Sequence, residues 1–235
     1  DIFMAFDGIT LHTLINEMDI LVGGKDNSVH QPTKNSITMS IYAGKTYMIN
    51  IDTSASNYRI HLSTHSKPNP IKAPNFCMVL RKYLIGGKIQ KIYMNDLERI
   101  CYIEFECFNE MNDKVTRTLV VELMGKYSNI ILLNEKGYII DGMKKFDVAD
   151  SFATGGSVSR SIRPARKYST PANSKKSIFD TDLAGFESII NENDQRLNNA
   201  LTQIPLCYNN FNVDKECAAK FLVKEVNLYL NEKND

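Results

Sequence analysis

The sequence lacks most of the features that mark specialised classes of protein. No stretch approaches the roughly 18 consecutive apolar residues of a membrane-spanning helix, and the amino terminus has no basic and then apolar signal peptide. The cysteines are odd in number and form no Cys-x-x-Cys pair, which favours reduced, buried thiols over a disulfide framework or a zinc site; they are Cys77, Cys101, Cys107, Cys207 and Cys217. These absences predict a cytoplasmic protein without a membrane partner.

Motifs for catalysis and cofactor binding are also missing. The sequence has no G-x-S-x-G motif, no P-loop and no G-x-G-x-x-G motif. His61 and His65 lie four residues apart, a spacing that suits a metal ion on a helix. The segment RIHLS predicts a strand instead, on which the two side chains would lie about 13 Å apart. The sequence therefore predicts neither an enzyme nor a bound metal or cofactor.

Charge is strongly segregated along the chain. The 235 residues carry a formal net charge of only +1. Residues 59–99 nevertheless contain eight Lys or Arg against two acidic residues, and residues 155–177 contain six and no acidic residue. Residues 178–235 carry ten acidic residues against five basic ones. Two basic blocks beside an acidic tail favour a polyanionic partner, although a solvated charged face is the simpler alternative.

Two predicted helices that end in Gly-Gly-Lys indicate an internal repeat. Apolar spacing predicts a helix over 9–22 before Gly23-Gly24, and a second helix from Pro74 to Gly86-Gly87. A helix stop explains one glycine of each pair and gives only a loose reason for the second. Segments with strand character follow each helix: 37–42, 45–52 and 58–63, then 89–94, 99–108, 116–124 and 129–134.

The two halves align at a spacing of 63 residues, which predicts an α+β domain made of a pseudo-duplicated helix and antiparallel β-meander. Regular patterning ends after Phe146, where Ser, Gly, Pro and basic residues indicate a linker or long surface loop up to residue 177. Helical spacing returns near residue 178. We expect a domain over 4–171, followed by a linker and the start of a small α-helical module over 172–235.

Several charged residues are candidates for binding. Glu98 and Arg99 open a predicted strand, and a surface ion pair is one interpretation of them. The other is that Arg99 joins further basic residues in holding phosphates; these are Arg81, Lys82, Lys88 and Lys91. Asp7 also has two interpretations, as the N-cap of the first helix or as a functional acid.

Five ordered motifs resemble the N-terminal domain of the NFACT family. They are MAFDGI (4–9), RIHLS (59–63), PNFCMVLRKYLIGGKI (74–89), LERI with IEF (97–105) and LMGKYSNIILLNEKG (123–137). RPARKYSTP (163–171) is similar to the family's Pro-Gly and Tyr-Pro element. The resemblance implies a fold similar to the N-terminal domain of formamidopyrimidine-DNA glycosylases. It does not imply their activity, because Asp1, Met4 and Ala5 provide no N-terminal proline amine.

The resemblance implies a role in ribosome-associated quality control. Such a protein binds tRNA, chiefly alanyl-tRNA, and an obstructed large (50S) ribosomal subunit, and the ribosome forms the peptide bonds of an untemplated alanine tail. The matching functional residues are Asp7 and the pair Glu98-Arg99, where the family has Asp-Arg, so we expect Arg99 to be the firmer RNA contact. The family's Pro-Gly is Pro164-Ala165 here, a departure from the residue pair that forms its usual turn.

A different class of function follows from the names of some family members. These are called fibronectin-binding proteins, so a surface adhesin that binds fibronectin is the alternative. The basic blocks and the lack of an export or anchoring signal favour RNA.

The resemblance also implies a helix-hairpin-helix module after the first domain. The segment QIPLCYNNF (203–211) lacks the Gly-rich hairpin of such a module, so we expect the module to be degenerate.

Overall fold

A computed structural model describes residues 8–63, 67–95, 98–147 and 160–171. Within them the helices are α1 (Gly8–Met18), continued by a 3₁₀ turn over Asp19–Leu21, and α2 (Asn75–Leu84). The strands of the first half are β1 (Lys25–Thr33), β2 (Ser36–Tyr42), β3 (Thr46–Asp52) and β4 (Arg59–Ser63). Those of the second half are β5 (Lys88–Tyr93), β6 (Ile100–Phe108), β7 (Lys114–Glu122), β8 (Asn129–Leu133) and β9 (Ile139–Gly142). Two short strands follow, β10 (Phe146–Asp147) and β11 (Ser161–Ile162).

Strands β1 to β9 form one antiparallel sheet in the order β4-β3-β2-β1-β5-β6-β7-β8-β9. Each half contains a helix, a Gly-Gly pair and an antiparallel meander, so the predicted α+β fold with its internal repeat is confirmed. Strand β1, by which the first half joins the second, was not predicted from the sequence. Its sequence, KDNSVHQPT, offers one aliphatic side chain to the core, Val29, and therefore shows no apolar alternation.

Both helices cover the same face of the sheet. Helix α1 contacts β4 and β5, and α2 contacts β1, β6 and β9, so each helix spans both halves. The inner face of β6 adds Cys101, Ile103 and Phe105 to this main core. The sheet is strongly curled, since the Lys144 ammonium after β9 reaches the Thr53 carbonyl after β3 and donates to it at 2.8 Å. One core is therefore enclosed by the helices and by the curled sheet.

The two halves meet at a nearly symmetric backbone junction. Lys25 of β1 lies opposite Lys88 of β5, and these residues are equivalent at the spacing of 63. Four hydrogen bonds surround this pair and repeat at the same spacing: Gly23 N–H to Ile89 O (2.7 Å), Gly86 N–H to Asp26 O (2.8 Å), Ile89 N–H to Gly24 O (2.9 Å) and Asp26 N–H to Gly87 O (2.9 Å). Each Gly-Gly pair thus binds the start of the first strand of the other half.

The junction explains why both glycines are needed. Gly23 and Gly86 have φ of +85°, which only glycine adopts without a steric cost. Gly24 and Gly87 have ordinary φ, but no space for a side chain. A Cβ on Gly87 would lie 2.9 Å from the Leu84 carbonyl oxygen and 2.8 Å from the sulfur of Cys107. The second glycine is therefore required by close backbone approach, which the helix-stop interpretation did not supply.

Asp26 is a fully buried acid at this junction. Burial raises its pKa to about 8, against a partial lowering by the Ser28 N–H. Neither carboxylate oxygen makes a hydrogen bond of normal geometry with another part of the described chain. The equivalent residue of the second half is Ile89, which belongs to the main core. The Asp26 carboxyl group is therefore mostly neutral at pH 7. It occupies a position at which the second half of the domain has the aliphatic side chain of Ile89.

Residues 160–171 are packed against the domain as a mostly exposed segment, and not as a free linker. Ile162 is fully buried, and β11 pairs with β10. The turn at Pro164-Ala165 is also formed, since Ala165 takes φ of +66° and its N–H donates to the Ile139 carbonyl at 2.8 Å. The packing overrides the local preference of alanine for negative φ. The predicted helical module at 172–235 lies outside the described residues.

No helix in the described ranges is both long enough and apolar enough to cross a membrane.

Gly87→Ala should lower the free energy of unfolding by about 1–3 kcal/mol, because the added methyl meets a carbonyl oxygen and a core sulfur. Urea unfolding followed by circular dichroism measures the change. Ser56→Ala, at an exposed turn position, serves as the control and should change the value by less than about 0.5 kcal/mol. Equal stability of the Gly87→Ala variant and the wild type would contradict the role of close approach.

Asp26→Asn should reduce the loss of stability with rising pH. The folded state keeps a proton on Asp26 up to about pH 8, whereas the unfolded chain releases it near pH 4, so wild-type stability falls between these values. The amide resembles the protonated acid and does not ionise. Urea unfolding at pH 5 and pH 8 measures the free energy of unfolding, which should be more favourable for the variant, relative to the wild type, at pH 8 than at pH 5. A constant difference between the two proteins would contradict the raised pKa.

Candidate nucleic-acid interface

Glu98 and Arg99 lie immediately before β6, and their side chains serve different parts of the structure. Arg99 reaches the hydroxyl of Tyr58, which packs against the main core, at 3.4 Å. Glu98 lies near Tyr102, which belongs to a second apolar cluster on the outer face of the sheet. The pKa of Tyr102 is raised by burial and then by the charges of Glu98 and Glu122. Asp7 lies outside the described residues, and its role stays a prediction.

Arg99 lies where two equivalent turns converge. The turn after β3 (53–58) brings Tyr58 to its guanidinium, and the turn after β7 (123–128) begins where Leu123 N–H donates to the Arg99 carbonyl at 2.8 Å. Arg99 is partly exposed. Within the described ranges no carboxylate lies at salt-bridge distance from it. Its positive charge is therefore not neutralised by these residues and can attract an external anion.

Lys88 and Lys91 point outward from β5. Lys88 is paired in register with Glu106, and Lys91 with Glu104, so each lysine has an acid across the strand boundary. The Lys91 ammonium lies 4.3 Å from the ring centroid of Tyr93. Tyr93 is stacked on Tyr102, with ring centroids 5.0 Å apart. This stack links Lys91 to the side of the sheet where Glu98 lies.

Arg81 and Lys82 belong to α2, which covers the opposite face of the sheet. The Arg81 guanidinium donates to the Val29 carbonyl at 2.8 Å and contacts the His30 ring at 3.2 Å, so it ties α2 to β1. Lys82 is exposed and lies over the Tyr83 ring. The predicted site residues thus lie on different parts of the sheet. Glu98 and Arg99 precede β6, and Lys91 is paired with Glu104 further along that strand. Arg81 and Lys82 belong to α2 on the opposite face.

A buried ionic cluster on the outer face supports the start of β6. Glu122 ends β7 opposite Ile100, is fully buried and accepts hydrogen bonds from Arg160 and from the Tyr168 hydroxyl, the latter at 2.7 Å. Burial raises the pKa of Glu122, and the adjacent guanidinium of Arg160 lowers it in part. Burial and the same carboxylate raise the pKa of Tyr168. Residues 160–171 are therefore anchored beside the Glu98–Arg99 position.

The cluster of Glu122, Arg160 and Tyr168 was not predicted from the sequence. A usable signal was present, because Glu122 is the single acid in the apolar run TLVVELM and falls, by alternation, on the same face as Val120. A charge at such a position requires a buried partner. The identity of that partner was not accessible, since Arg160 lies 38 residues away in a segment without regular patterning.

Of the two candidate metal-binding histidines, His61 lies in β4. His61 is almost fully buried, accepts a hydrogen bond from Arg59 at 2.9 Å, and has its pKa lowered to about 4, chiefly by burial. No group of three potential metal ligands occurs among the residues that the structure describes. His65 lies outside them.

Comparison with known proteins places this geometry in a family. A model of the NFACT N-terminal and middle domains matches residues 7–209. The chain belongs to the NFACT family. Bacillus subtilis RqcH, a homolog of Rqc2, is 34% identical to the chain over 172 residues, which are 72% of this chain and 29% of the relative. Streptococcus pneumoniae RqcH is 29% identical over 73% of this chain and 31% of its own length.

Solved NFACT-type structures share the fold. The N-terminal part of the fibronectin/fibrinogen-binding protein of Streptococcus suis matches with a TM-score of 0.68 and 29% identity, over 79% of this chain and 69% of that one. The fibrinogen-binding protein of Staphylococcus aureus matches with a TM-score of 0.62 and 27% identity, over 73% of this chain and 58% of that one. The chain spans about three tenths of the length of the RqcH relatives.

Tyr168→Phe should destabilise the domain by about 1–3 kcal/mol, because a buried carboxylate loses one of its hydrogen-bond donors. Thermal or urea unfolding measures the change. Tyr138→Phe is the matched control: its ring is 42% exposed, and removal of its hydroxyl should change stability by less than about 0.5 kcal/mol. If both variants were equally stable, the Glu122 cluster would not support the fold as described.

Proposed function

We propose that this chain is the N-terminal part of a ribosome quality-control factor that binds tRNA on an obstructed 50S subunit. The single observation that carries the proposal is the partly exposed guanidinium of Arg99, which has no carboxylate partner among the described residues, in a chain related to RqcH proteins. A fixed cation of this kind fits the phosphate of a nucleic acid. In this role the protein acts in the cytoplasm as a binding and positioning factor, and the ribosome forms the peptide bonds of the alanine tail.

The residues around Arg99 have graded roles in this proposal. Arg99 contacts a phosphate from the side of the sheet where Tyr58 lies, whereas Glu98 and Lys91 lie on the outer face. The longer side chain of Glu98, compared with the family's Asp, is accommodated beside Tyr102. Lys88 contributes to the long-range positive field, together with Lys82 on the other face. Arg81 acts mainly by holding α2 on β1. Asp7 is the last residue of the proposed site, and alanyl-tRNA is its proposed ligand.

A surface adhesin is the second candidate function. Its support is that two structures with the same fold are described as fibronectin- or fibrinogen-binding proteins. Co-sedimentation with purified 50S subunits, compared with binding to immobilised fibronectin, separates the candidates. Binding to fibronectin without binding to 50S subunits or tRNA would favour the adhesin and overturn our proposal.

Arg99→Ala should weaken tRNA binding about tenfold, since a charge-assisted phosphate contact is lost. The slope of log K against log salt should fall by about one unit. Fluorescence anisotropy with labelled tRNA at several salt concentrations measures both quantities.

Lys45→Ala is the matched control for charge. Lys45 is an exposed lysine in the hairpin before β3, about 20 Å along that strand from the turn at Tyr58. The Lys45→Ala substitution should leave the affinity for tRNA nearly unchanged. Equal effects of Arg99→Ala and Lys45→Ala would mean that net charge, not the Arg99 site, determines binding.

A further inference from the structure

The turn between β7 and β8 carries an exposed aromatic residue close to Arg99. Residues Gly125–Tyr127 form a 3₁₀ turn, and the Tyr127 side chain is 69% exposed. The Lys126 ammonium lies 5.1 Å from the centroid of the Tyr127 ring. A lysine and a tyrosine are therefore presented together to solvent. Single exposed apolar residues are common on protein surfaces, whereas this pair combines a ring with a charge.

The backbone of this turn is held in place by its own hydrogen bonds. Ser128 donates its hydroxyl to the Gly125 carbonyl at 2.7 Å and accepts from the Met124 N–H at 2.9 Å. The side-chain amide of Asn129, a fully buried residue, donates to the Lys144 carbonyl at 2.8 Å. The turn is thus anchored at its carboxyl end. A ring on an anchored turn loses less conformational entropy on binding than a ring on a flexible loop.

The turn is also tied to Arg99. Leu123, at its start, donates its N–H to the Arg99 carbonyl, and Tyr127 donates its own N–H to the carbonyl of Met124 at 3.0 Å. The backbone of the turn is therefore bonded to the backbone of Arg99 at the edge of the sheet where β6 begins and β7 ends.

The other half of the domain shows that the fold does not require this pair. Strands β4 and β8 align at a spacing of 70 residues, so Ser56 and Asn57 are the equivalents of Lys126 and Tyr127. Both are exposed. The first turn reaches the same arginine through Tyr58 but presents only small side chains without charge or aromatic ring at its tip. The cation and the ring are thus additions to the copy that contains Arg99.

We propose that Tyr127 stacks on an unpaired RNA base while Lys126 and Arg99 bind the phosphates beside it. This inference rests on the proposed RNA-binding function and specifies the ligand as single-stranded nucleotides. Unpaired bases stack on tyrosine rings because every base has an open aromatic face, whereas the bases of a duplex are closed to such contact. The lysine beside the ring supplies the charge that a phosphate requires.

The test uses the 235-residue chain with a labelled, unstructured 12-nucleotide RNA and a duplex of the same sequence as probes. Tyr127→Ala should weaken binding of the single strand by about 5- to 100-fold, with the salt slope unchanged, because stacking is lost and no charge is removed. Tyr127→Phe should keep the wild-type affinity. Lys126→Ala should weaken binding and also lower the salt slope by about one unit.

Asn57→Ala is the matched control, since it changes the equivalent position of the first turn, and it should bind like the wild type. If Tyr127→Ala binds normally while Arg99→Ala is weakened, the stacking inference fails and the proposed function stands. If Tyr127→Ala weakens the duplex as much as the single strand, stacking on an unpaired base is overturned. If the wild type shows no salt-dependent RNA binding, the proposed function fails as well.

Discussion

The reciprocal backbone junction between the two Gly-Gly pairs is the constraint on which the rest of the structure depends. Each pair ends a helix and also hydrogen-bonds to the start of the first strand of the other half, so the halves cannot shift against each other without breaking bonds on both sides. This junction places β1 beside β5 and makes one sheet from two meanders. Glycine fits all four positions for two reasons: Gly23 and Gly86 have positive φ, and Gly24 and Gly87 leave no space for a Cβ.

A symmetric framework of this kind places equivalent turns at equivalent positions, and function can then be added to one copy. Both the turn before β4 and the turn before β8 reach Arg99, but only the second presents a lysine and a tyrosine. Within the described ranges the Arg99 guanidinium has no carboxylate partner, so the charge between these turns is available to an anion. The difference between the copies, not the repeat itself, is what distinguishes the candidate RNA surface.

The outer face of the second half is completed from a distant part of the chain. Ile162 closes the second apolar cluster, and Arg160 and Tyr168 supply the partners that the buried Glu122 requires. A buried carboxylate without partners would be strongly unfavourable, so residues 160–171 and the end of β7 depend on each other. Since Glu122 lies opposite Ile100, this packing also supports the strand that begins after Arg99.

The sequence by itself determined the helices, most strands and the internal repeat, because these follow from local apolar periodicity and from glycine at helix ends. It also indicated Arg99 as a candidate through the family resemblance. It did not reveal β1, whose nine residues include only one aliphatic core side chain, or the packing of 160–171. Only the tertiary structure decided that Arg81 is tied to β1, that Glu122 is paired with Arg160, and that two turns meet at Arg99. The physical reason is that these features depend on contacts between residues far apart in the chain, which local patterns do not encode.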